Sequence, residues 1–175
     1  MTANQSGMGL CHIYWGDGKG KTTAAMGLAL RALGTGKRVV VVQFLKDGCS
    51  AELHPLRRLG ASVFAGQGHT KFTWQLAPQE AQNVRREQNR LLDTALQVPC
   101  DMLILDEACT ACELGFLEEE ALRRAVVKRP PETELVLTGH QPAEWMLQQA
   151  DYSTEMRCHK HPCSRGICAR AGVEF

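Results

Sequence analysis

One short stretch decides the fold: Gly16-Asp17-Gly18-Lys19-Gly20-Lys21-Thr22-Thr23. It follows an apolar run typical of a strand and precedes a run rich in Ala, Leu and Met that is typical of a helix. In that context the pattern predicts a phosphate-binding loop, because glycines let backbone N–H groups turn onto phosphate oxygens at the positive end of a helix. A lysine would then reach the phosphates, and a threonine hydroxyl would reach Mg²⁺. We call residues 16–23 the phosphate loop.

The phosphate loop departs from the common pattern G-x-x-x-x-G-K-[ST] in its length. Counted back from Gly20, the first glycine belongs at position 15, where the chain has Trp15, and the glycine comes at Gly16. The loop is therefore one residue short of the common form. A glycine-rich turn with a solvated lysine is the alternative interpretation, and the flanking strand and helix favour phosphate binding.

An acidic motif further along the chain supports this interpretation. Met102–Leu105 is an apolar run that ends in Asp106 and Glu107. In phosphate-loop enzymes such a strand lies beside the first one, and its acid organises Mg²⁺. A helix N-cap is the alternative role for either acid, and it is compatible with the first.

The remaining sequence alternates strand-like and helix-like segments. Strands are predicted at 10–15, 38–45, 61–65, 102–105, 134–138 and 152–156, and helices at 22–33, 52–59, 78–97, 117–127 and 142–150. Residues 66–77 have no period and are predicted to be a loop. The alternation predicts an α/β fold with three layers, in which helices cover both faces of a mostly parallel sheet. We expect one domain over residues 1–175, with residues 1–8 flexible and the 152–156 strand in the core.

Composition and charge narrow the class of protein. The chain has 175 residues, the size of one domain, and a net charge of +1, which gives no case for a nucleic-acid partner. The longest apolar runs are far shorter than the roughly 20 residues needed to span a bilayer, and the first nine residues do not resemble a signal peptide. We therefore expect a cytoplasmic protein without a membrane partner, whose eight cysteines are reduced.

Segments along most of the chain carry a family resemblance. They are 16–27, 31–37, 41–46, 72–74, 103–107, 137–139, 150–157, 160–162, 166–167 and 172–175. In this order they resemble the ATP:corrinoid adenosyltransferases of the BtuR/CobO type, whose pattern also includes the shortened phosphate loop. The resemblance implies a P-loop, RecA-like fold, a homodimer and a flavoprotein that supplies electrons.

The resemblance also implies a reaction. The 5′-deoxyadenosyl group of ATP would move to a cob(I) corrinoid, either cob(I)alamin or a cob(I)yrinic acid a,c-diamide, in adenosylcobalamin synthesis or salvage, and triphosphate would leave. Because Co(I) is itself the nucleophile, the protein needs no nucleophile, and its main task is to stabilise the leaving triphosphate.

These implications assign roles to particular residues. The ATP-binding residues are Gly16, Asp17, Gly18, Lys19, Gly20, Lys21, Thr22 and Thr23. Lys19, Lys21 and Glu107 are the candidate catalytic residues. The candidate ligands of Mg²⁺ or Mn²⁺ are Thr22, Glu107 and Asp106.

Two aromatic residues are assigned to the corrinoid. Phe72 and Trp74 match an aromatic loop that offers an apolar surface and helps to displace the lower axial ligand of cobalt, which eases reduction to Co(I). The alternative is ordinary core packing, since a spacing of two places both rings on one face of a strand.

The chain departs from the family in four places. It lacks a long N-terminal extension, it has His140 where an arginine is common, and residues 47–50 are compact. The fourth departure is its cysteine content, with Cys109 and Cys112 in a C-x-x-C pattern and a group near the end: Cys158, His159, His161, Cys163 and Cys168. Reduced thiols are the expectation for these residues, and a bound metal is the alternative.

Two other functions stay open from the residues alone. A phosphate-loop ATPase or kinase would release phosphate or ADP instead of triphosphate. A non-catalytic protein that binds a nucleotide or corrinoid would show no turnover.

Overall fold

The computed structural model describes residues 7–66 and 76–174. The strands are β1 Cys11–Trp15, β2 Val39–Gln43, β3 Ser62–Ala65, β4 Met102–Asp106, β5 Glu134–Gly139 and β6 Tyr152–Glu155. The helices are α1 Lys21–Gly34, α2 Leu53–Arg58, α3 Pro78–Leu96, α4 Ala108–Glu113, α5 Glu119–Val127 and α6 Glu144–Gln149, followed by a 3₁₀ turn at Pro162–Arg165. Phe72 and Trp74 lie outside the described residues.

The six strands form one parallel sheet in the order β3-β2-β4-β5-β1-β6. Every residue of β2 and β4 is buried, as the non-alternating apolar runs predict. Alternate residues of these strands face two separate cores: Val40 and Leu103 pack under α3 and α5, whereas Val41 and Ile104 pack under α1. The predicted three-layer α/β fold is therefore confirmed.

Two local predictions differ from the structure. The last strand, β6, was expected in the core, but its four residues are all exposed. Among the described residues β6 pairs only with β1, so it is an edge strand. The short helix α4 was not predicted at all. It has six residues, and its first turn buries Ala108 and Cys109 against β5. No helix among the described residues is long and apolar enough to cross a membrane.

The carboxyl ends of the parallel strands meet at one edge of the sheet. There the phosphate loop follows β1, Lys46 follows β2, Glu107 follows β4 and His140 follows β5. In open parallel sheets this edge is where ligands bind, so the topology brings together the segments that carry the polar motifs.

Some of the cysteines are buried and others are exposed. We expect the exposed thiols to be the more reactive ones. No disulfide joins any of the eight. Burial raises the pKa of Cys109 to about 12 and that of Cys11 to about 11, which disfavours the reactive thiolate at both positions. Iodoacetamide should label the exposed thiols of Cys49, Cys158, Cys163 and Cys168 first.

Peptide mass spectrometry of the native protein would measure this labelling. Denatured protein is the control, in which Cys11 and Cys109 should react as readily as the others. Equal labelling rates for Cys109 and Cys158 in the native protein would contradict the expected protection.

Candidate functional site

A cleft of about 1360 Å³ opens at the carboxyl edge of the sheet. Its floor and walls come from the phosphate loop, the segment after β2, and the starts of the segments after β4 and β5. The chain's last residues close one side. The lining residues are 17–23, Met26, 45–47, 50–52, Glu107, Thr110, Leu114, His140, His161, Ala169 and 172–174.

The glycines of the phosphate loop fit tightly against Met156. Gly16 and Gly20 have φ angles of 108° and 119°, in the region that favours glycine. The backbone N–H of Gly18 donates to the Met156 carbonyl at 2.7 Å, and the N–H of Met156 donates to the Trp15 carbonyl at 2.7 Å. A Cβ atom on Gly18 would lie 2.7 Å from that same carbonyl group. The residue after β6 therefore holds the loop in its curved conformation.

On the prediction that the phosphate loop binds ATP, we expect Gly18→Ala to weaken that binding by about tenfold or more, equivalent to ~1.4 kcal/mol. The added methyl group meets rigid backbone, so the loop must move and its N–H groups lose their alignment. Isothermal titration with ATP would measure the change.

Gly27→Ala is the matched control for that substitution. Gly27 lies in α1, and a methyl group added there would have no atom of the described residues within 4 Å, apart from its own helix backbone and chain neighbours. This change should leave the affinity for ATP unaltered and raise stability by roughly 0.5–1 kcal/mol. An unchanged affinity in Gly18→Ala would mean that the loop tolerates the displacement.

Asp106 is the central buried acid of the site. Its side chain is fully buried, and both carboxylate oxygens accept hydrogen bonds. Oδ1 accepts from the hydroxyls of Thr22 at 2.9 Å and Thr138 at 2.8 Å. Oδ2 accepts from the amide of Gln43 at 3.2 Å and the ammonium of Lys46 at 2.9 Å. Four donors from three segments offset the cost of burying this charge, and they tie the phosphate loop to β2, β4 and β5.

Glu107 occupies an unusual backbone conformation at the start of α4. Its φ angle is 59°, which is uncommon for a residue other than glycine. Its backbone N–H donates to the Thr138 hydroxyl at 2.8 Å, and its Oε2 accepts from the Thr110 hydroxyl at 2.7 Å. These contacts hold Glu107 in the lining of the cleft. Its roles in catalysis and in metal binding stay predictions.

The two loop lysines differ in exposure. Lys21 is only 8% exposed, and its Nζ donates to the Gly18 carbonyl at 2.8 Å. Lys19 is exposed and lines the cleft. Lys19, Lys21 and Thr22 therefore all line the same end of the cleft.

His140 contributes through its backbone. Its carbonyl accepts from the Gly16 N–H at 3.0 Å, and its N–H donates to the Thr110 hydroxyl at 3.0 Å. Both contacts are independent of the side chain. A change of side chain at position 140 therefore leaves these two contacts with the loop and with Thr110 intact.

The oxygen ligands suit a hard divalent cation. Thr22, Asp106 and Glu107 supply a hydroxyl and two carboxylates, the chemistry that Mg²⁺ and Mn²⁺ prefer. Because Asp106 already accepts four hydrogen bonds, it fits a supporting role through Thr22 and water better than direct coordination. Glu107 lines the cleft, and in the described part of the chain no hydrogen bond is recorded to its Oε1. That oxygen is therefore better placed than Asp106 to bind the cation directly.

The cysteine and histidine residues do not assemble into a metal site in the described part of the chain. Within 7–66 and 76–174, no group of three or more His, Cys, Asp or Glu side chains is arranged to hold a metal ion. Burial raises the pKa of Cys112 to about 11, which disfavours the thiolate that a metal requires.

Several site residues were not predicted from the sequence. Gln43, Lys46 and Thr138 surround Asp106, and each lies at or just after the end of an apolar strand, a signal that was present in the sequence. The C-terminal residues gave no such signal. Hydrogen bonds from Arg170 lower the pKa of Glu174 to about 2, so this lining residue carries a negative charge.

Comparison with known proteins gives a consistent result. Residues 7–175 match the family described as ATP:corrinoid adenosyltransferase BtuR/CobO/CobP. The corrinoid adenosyltransferase of Pseudomonas aeruginosa is 34% identical over 173 residues, covering 95% of this chain and 84% of that protein. The Escherichia coli corrinoid adenosyltransferase is 33% identical over 180 residues, covering 98% and 88%. Corrinoid adenosyltransferase CobA of Salmonella typhimurium is 34% identical over 179 residues, with the same coverage.

Proposed function

The chain belongs to the ATP:corrinoid adenosyltransferase family of the BtuR/CobO/CobP type, and from that premise we propose how its cleft performs the transfer. ATP binds along the phosphate loop, and the deoxyadenosyl group moves from it to a cob(I) corrinoid. The observation that carries this proposal is the hydrogen bond of 2.9 Å from Thr22 to Asp106, which joins the phosphate loop to the acidic motif.

The chemical step needs electrostatic help more than it needs a protein nucleophile. Co(I) attacks C5′ with its electron pair, the carbon–cobalt bond forms, the C5′–O bond breaks, and triphosphate leaves with the bonding pair. The negative charge that develops on the leaving oxygen is stabilised by the loop N–H groups, the N-terminus of α1, Lys19 and Lys21. A divalent cation held by Thr22 and Glu107 would add further positive charge at the same place.

Orientation is the second contribution of the chain. Cobalt must approach C5′ in line with the leaving oxygen, so the phosphates have to be held in one position. The Met156 backbone fixes the loop, and Asp106 fixes Thr22, through the contacts given above. We propose that these contacts set the position of the triphosphate relative to the corrinoid.

We place the corrinoid on the side of the cleft where residues 67–75 begin. Gly66, the last described residue before them, lies against Lys46 and Gly48: a Cβ atom on Gly66 would be 3.2 Å from the Lys46 carbonyl, and one on Gly48 would be 2.8 Å from the Gly66 carbonyl. Gly66, which precedes the segment that contains Phe72 and Trp74, therefore lies beside Lys46 in the wall of the cleft. This supports the role in corrinoid binding that the resemblance implies for both rings.

We also propose the wider setting of the reaction. The protein works as a cytoplasmic homodimer of single-domain subunits and receives electrons from a flavoprotein. Size-exclusion chromatography with light scattering would test the dimer, and reconstitution with a purified flavoprotein reductase would test the electron donor.

An anaerobic assay tests the reaction itself. The protein is mixed with chemically reduced cob(I)alamin, ATP and Mg²⁺, the corrinoid spectrum is followed, and the phosphate product is identified. Loss of the cob(I) band, a light-sensitive alkylcobalt product and one triphosphate per turnover are expected. Release of ADP with the corrinoid unchanged would indicate an ATPase or kinase. If neither substrate changes, the assay is repeated with cob(I)yrinic acid a,c-diamide, and failure there too would contradict the proposal.

Trp74→Ala should separate reduction from transfer. If Trp74 helps to displace the lower ligand of cobalt, its loss slows the reaction that starts from cob(II)alamin more than the reaction that starts from cob(I)alamin. The rate from cob(II)alamin is divided by the rate from cob(I)alamin, and this ratio should be about tenfold lower for Trp74→Ala than for the unchanged protein. Equal losses in both assays would contradict the role in ligand displacement.

A further inference from the structure

We propose that Lys46 is a third lysine that binds the triphosphate group, in addition to Lys19 and Lys21. The inference rests on the proposed function, because it assumes that triphosphate lies along the phosphate loop. The proposal extends that function to a residue on the side of the cleft formed after β2. Lys46 lies outside the phosphate-loop pattern.

The backbone before Lys46 is shaped to aim it at the site. Leu45 has a φ angle of 56°, and Leu45 and Glu107 are the only non-glycine residues with positive φ in the described ranges 7–66 and 76–174. A bulky residue in this conformation is an outlier, and strained residues of this kind cluster at active sites and ligand clamps. Both of these residues line the cleft.

Contacts on both sides hold this conformation in place. The Leu45 N–H donates to Oε1 of Gln88 at 3.0 Å, and Gln88 is 1% exposed on α3. The N–H of the fully buried Phe44 donates to the Asp106 carbonyl at 3.0 Å. The segment is thus attached to the helix layer and to β4, and the side chain that follows projects into the cleft.

The ammonium of Lys46 lies beside Thr22, which is proposed to hold the metal, and beside Asp106, which supports Thr22. Nζ is 2.9 Å from Oδ2 of Asp106 and 3.4 Å from the hydroxyl of Thr22, and the side chain is 30% exposed. An ammonium and a divalent cation at this position repel each other. Because the lysine side chain is flexible, it can rotate away from the cation toward the phosphates, which lie along the same cleft.

Asp106 keeps enough partners for Lys46 to rotate away. The Gln43 amide still donates to Oδ2, and Thr22 and Thr138 still donate to Oδ1. Gln43 also donates to Glu52 at 3.2 Å, which holds its amide in position. The movement therefore leaves no carboxylate oxygen of Asp106 without a donor.

The charge balance of the cleft makes a third lysine valuable. The lysines that line it are Lys19, Lys21 and Lys46, and the lining carboxylates are Asp17, Asp47, Glu52, Glu107 and Glu174. Triphosphate adds several negative charges to a cleft in which carboxylates already outnumber lysines. Each ammonium near the phosphates therefore contributes to affinity.

Isothermal titration with inorganic tripolyphosphate and Mg²⁺ tests the proposal without corrinoid or turnover. Lys46→Met, which removes the charge and keeps an unbranched side chain, should weaken binding about tenfold, and Lys46→Arg should restore most of it. Lys37→Met, an exposed lysine before β2 at the opposite edge of the sheet, is the control and should bind like the unchanged protein.

A double-mutant cycle separates phosphate binding from simple pairing with Asp106. In an Asp106→Asn background, Lys46→Met should again lower the affinity for tripolyphosphate about tenfold, because the contact with phosphate is independent of that carboxylate. Thermal melts confirm that each variant is folded at the titration temperature. Equal affinities with and without Lys46 in this background would overturn the proposal.

Binding of Mn²⁺, followed by electron paramagnetic resonance in the absence of nucleotide, gives an independent readout. Lys46→Met should bind Mn²⁺ several-fold more tightly, because the ammonium no longer competes beside Thr22 and Asp106. An unchanged Mn²⁺ affinity would contradict the competition between the Lys46 ammonium and the cation, and would overturn that part of the proposal. If the unchanged protein fails to bind tripolyphosphate at all, the phosphate-loop proposal falls and this inference with it. If it binds and Lys46→Met binds equally well, only the role of Lys46 falls.

Discussion

Replacing Lys21 by alanine should lower the rate of adenosyl transfer about a hundredfold, and by no less than about tenfold. Lys21 is the most buried lysine of the cleft: it is 8% exposed, and its Nζ lies 2.8 Å from the Gly18 carbonyl. A charge at the base of the loop, away from bulk water, acts strongly on the oxygen that leaves C5′. The rate with pre-reduced cob(I)alamin, measured as kcat/KM for ATP, isolates this step.

Two further variants distinguish the charge of Lys21 from its packing. Lys21→Met keeps a long unbranched side chain without the charge, and it should lose as much activity as Lys21→Ala if the ammonium is what matters. Lys128→Ala, at an exposed position after α5, should keep full activity. Near-normal transfer by Lys21→Ala, with an unchanged melting temperature, would remove this lysine from the mechanism.

Replacing Asp106 by asparagine should lower both stability and activity. The amide keeps the shape of the carboxylate, but its NH₂ group would face the donors Gln43 and Lys46 in place of an acceptor oxygen. An unmatched buried donor pair costs about 1–3 kcal/mol, which for a domain of this size lowers Tm by roughly 3–10 °C. Activity should fall by about tenfold or more, because Thr22 loses its charged partner. Calorimetry and the anaerobic assay measure the two effects.

Asp101→Asn is the matched control, since Asp101 precedes the other end of β4. It pairs with the exposed guanidinium of Arg38 at 2.7 Å, and hydrogen bonds from Arg38 lower the pKa of Asp101 to about 2. Because this pKa is lowered, the pairing of Asp101 with Arg38 contributes to stability at neutral pH. That contribution is lost as the pH falls from about 4 to about 2. Asp101→Asn should therefore leave activity intact and flatten the loss of stability in that range. Equal losses of activity in both variants would contradict a special role for Asp106.

The sequence predicted the parts of the fold whose residue pattern has a single physical explanation. The valines of β2 and the apolar run of β4 are buried on both faces, because a central parallel strand has helices on either side. The strand β6 was misplaced in the core because its short sequence, Tyr152–Glu155, does not show which neighbours it has. Only the topology shows that β6 has β1 on one side and, among the described residues, no strand on the other.

The candidate site was predicted in part for a related reason. Loop residues close in sequence carry their own pattern, so Lys21 and Thr22 were found, and the acidic end of β4 was found with them. Gln43 and Lys46 contribute because β2 and β4 are neighbours, in a register that pairs Gln43 with Asp106. This pairing joins residues that are far apart in the sequence. A polar residue at the end of a strand suggests a role in the site, but it does not specify which strand lies next to it. Helix α4 and the C-terminal wall depend on tertiary contacts in the same way.

The position of β1 has a consequence for how the protein is made. The phosphate loop follows directly on β1, yet both sheet neighbours of β1 come from the far end of the chain: Cys11 pairs with Leu135, and His12 pairs with Tyr152. During synthesis the ribosome releases β1 well before β5 and β6, and β1 must wait for both of these strands before it can be enclosed. Such late, long-range closure slows folding and leaves an apolar segment exposed to chaperones and proteases in the meantime. Shortened translation products that stop before β5 would carry the complete nucleotide motif and still lack the framework that shapes it.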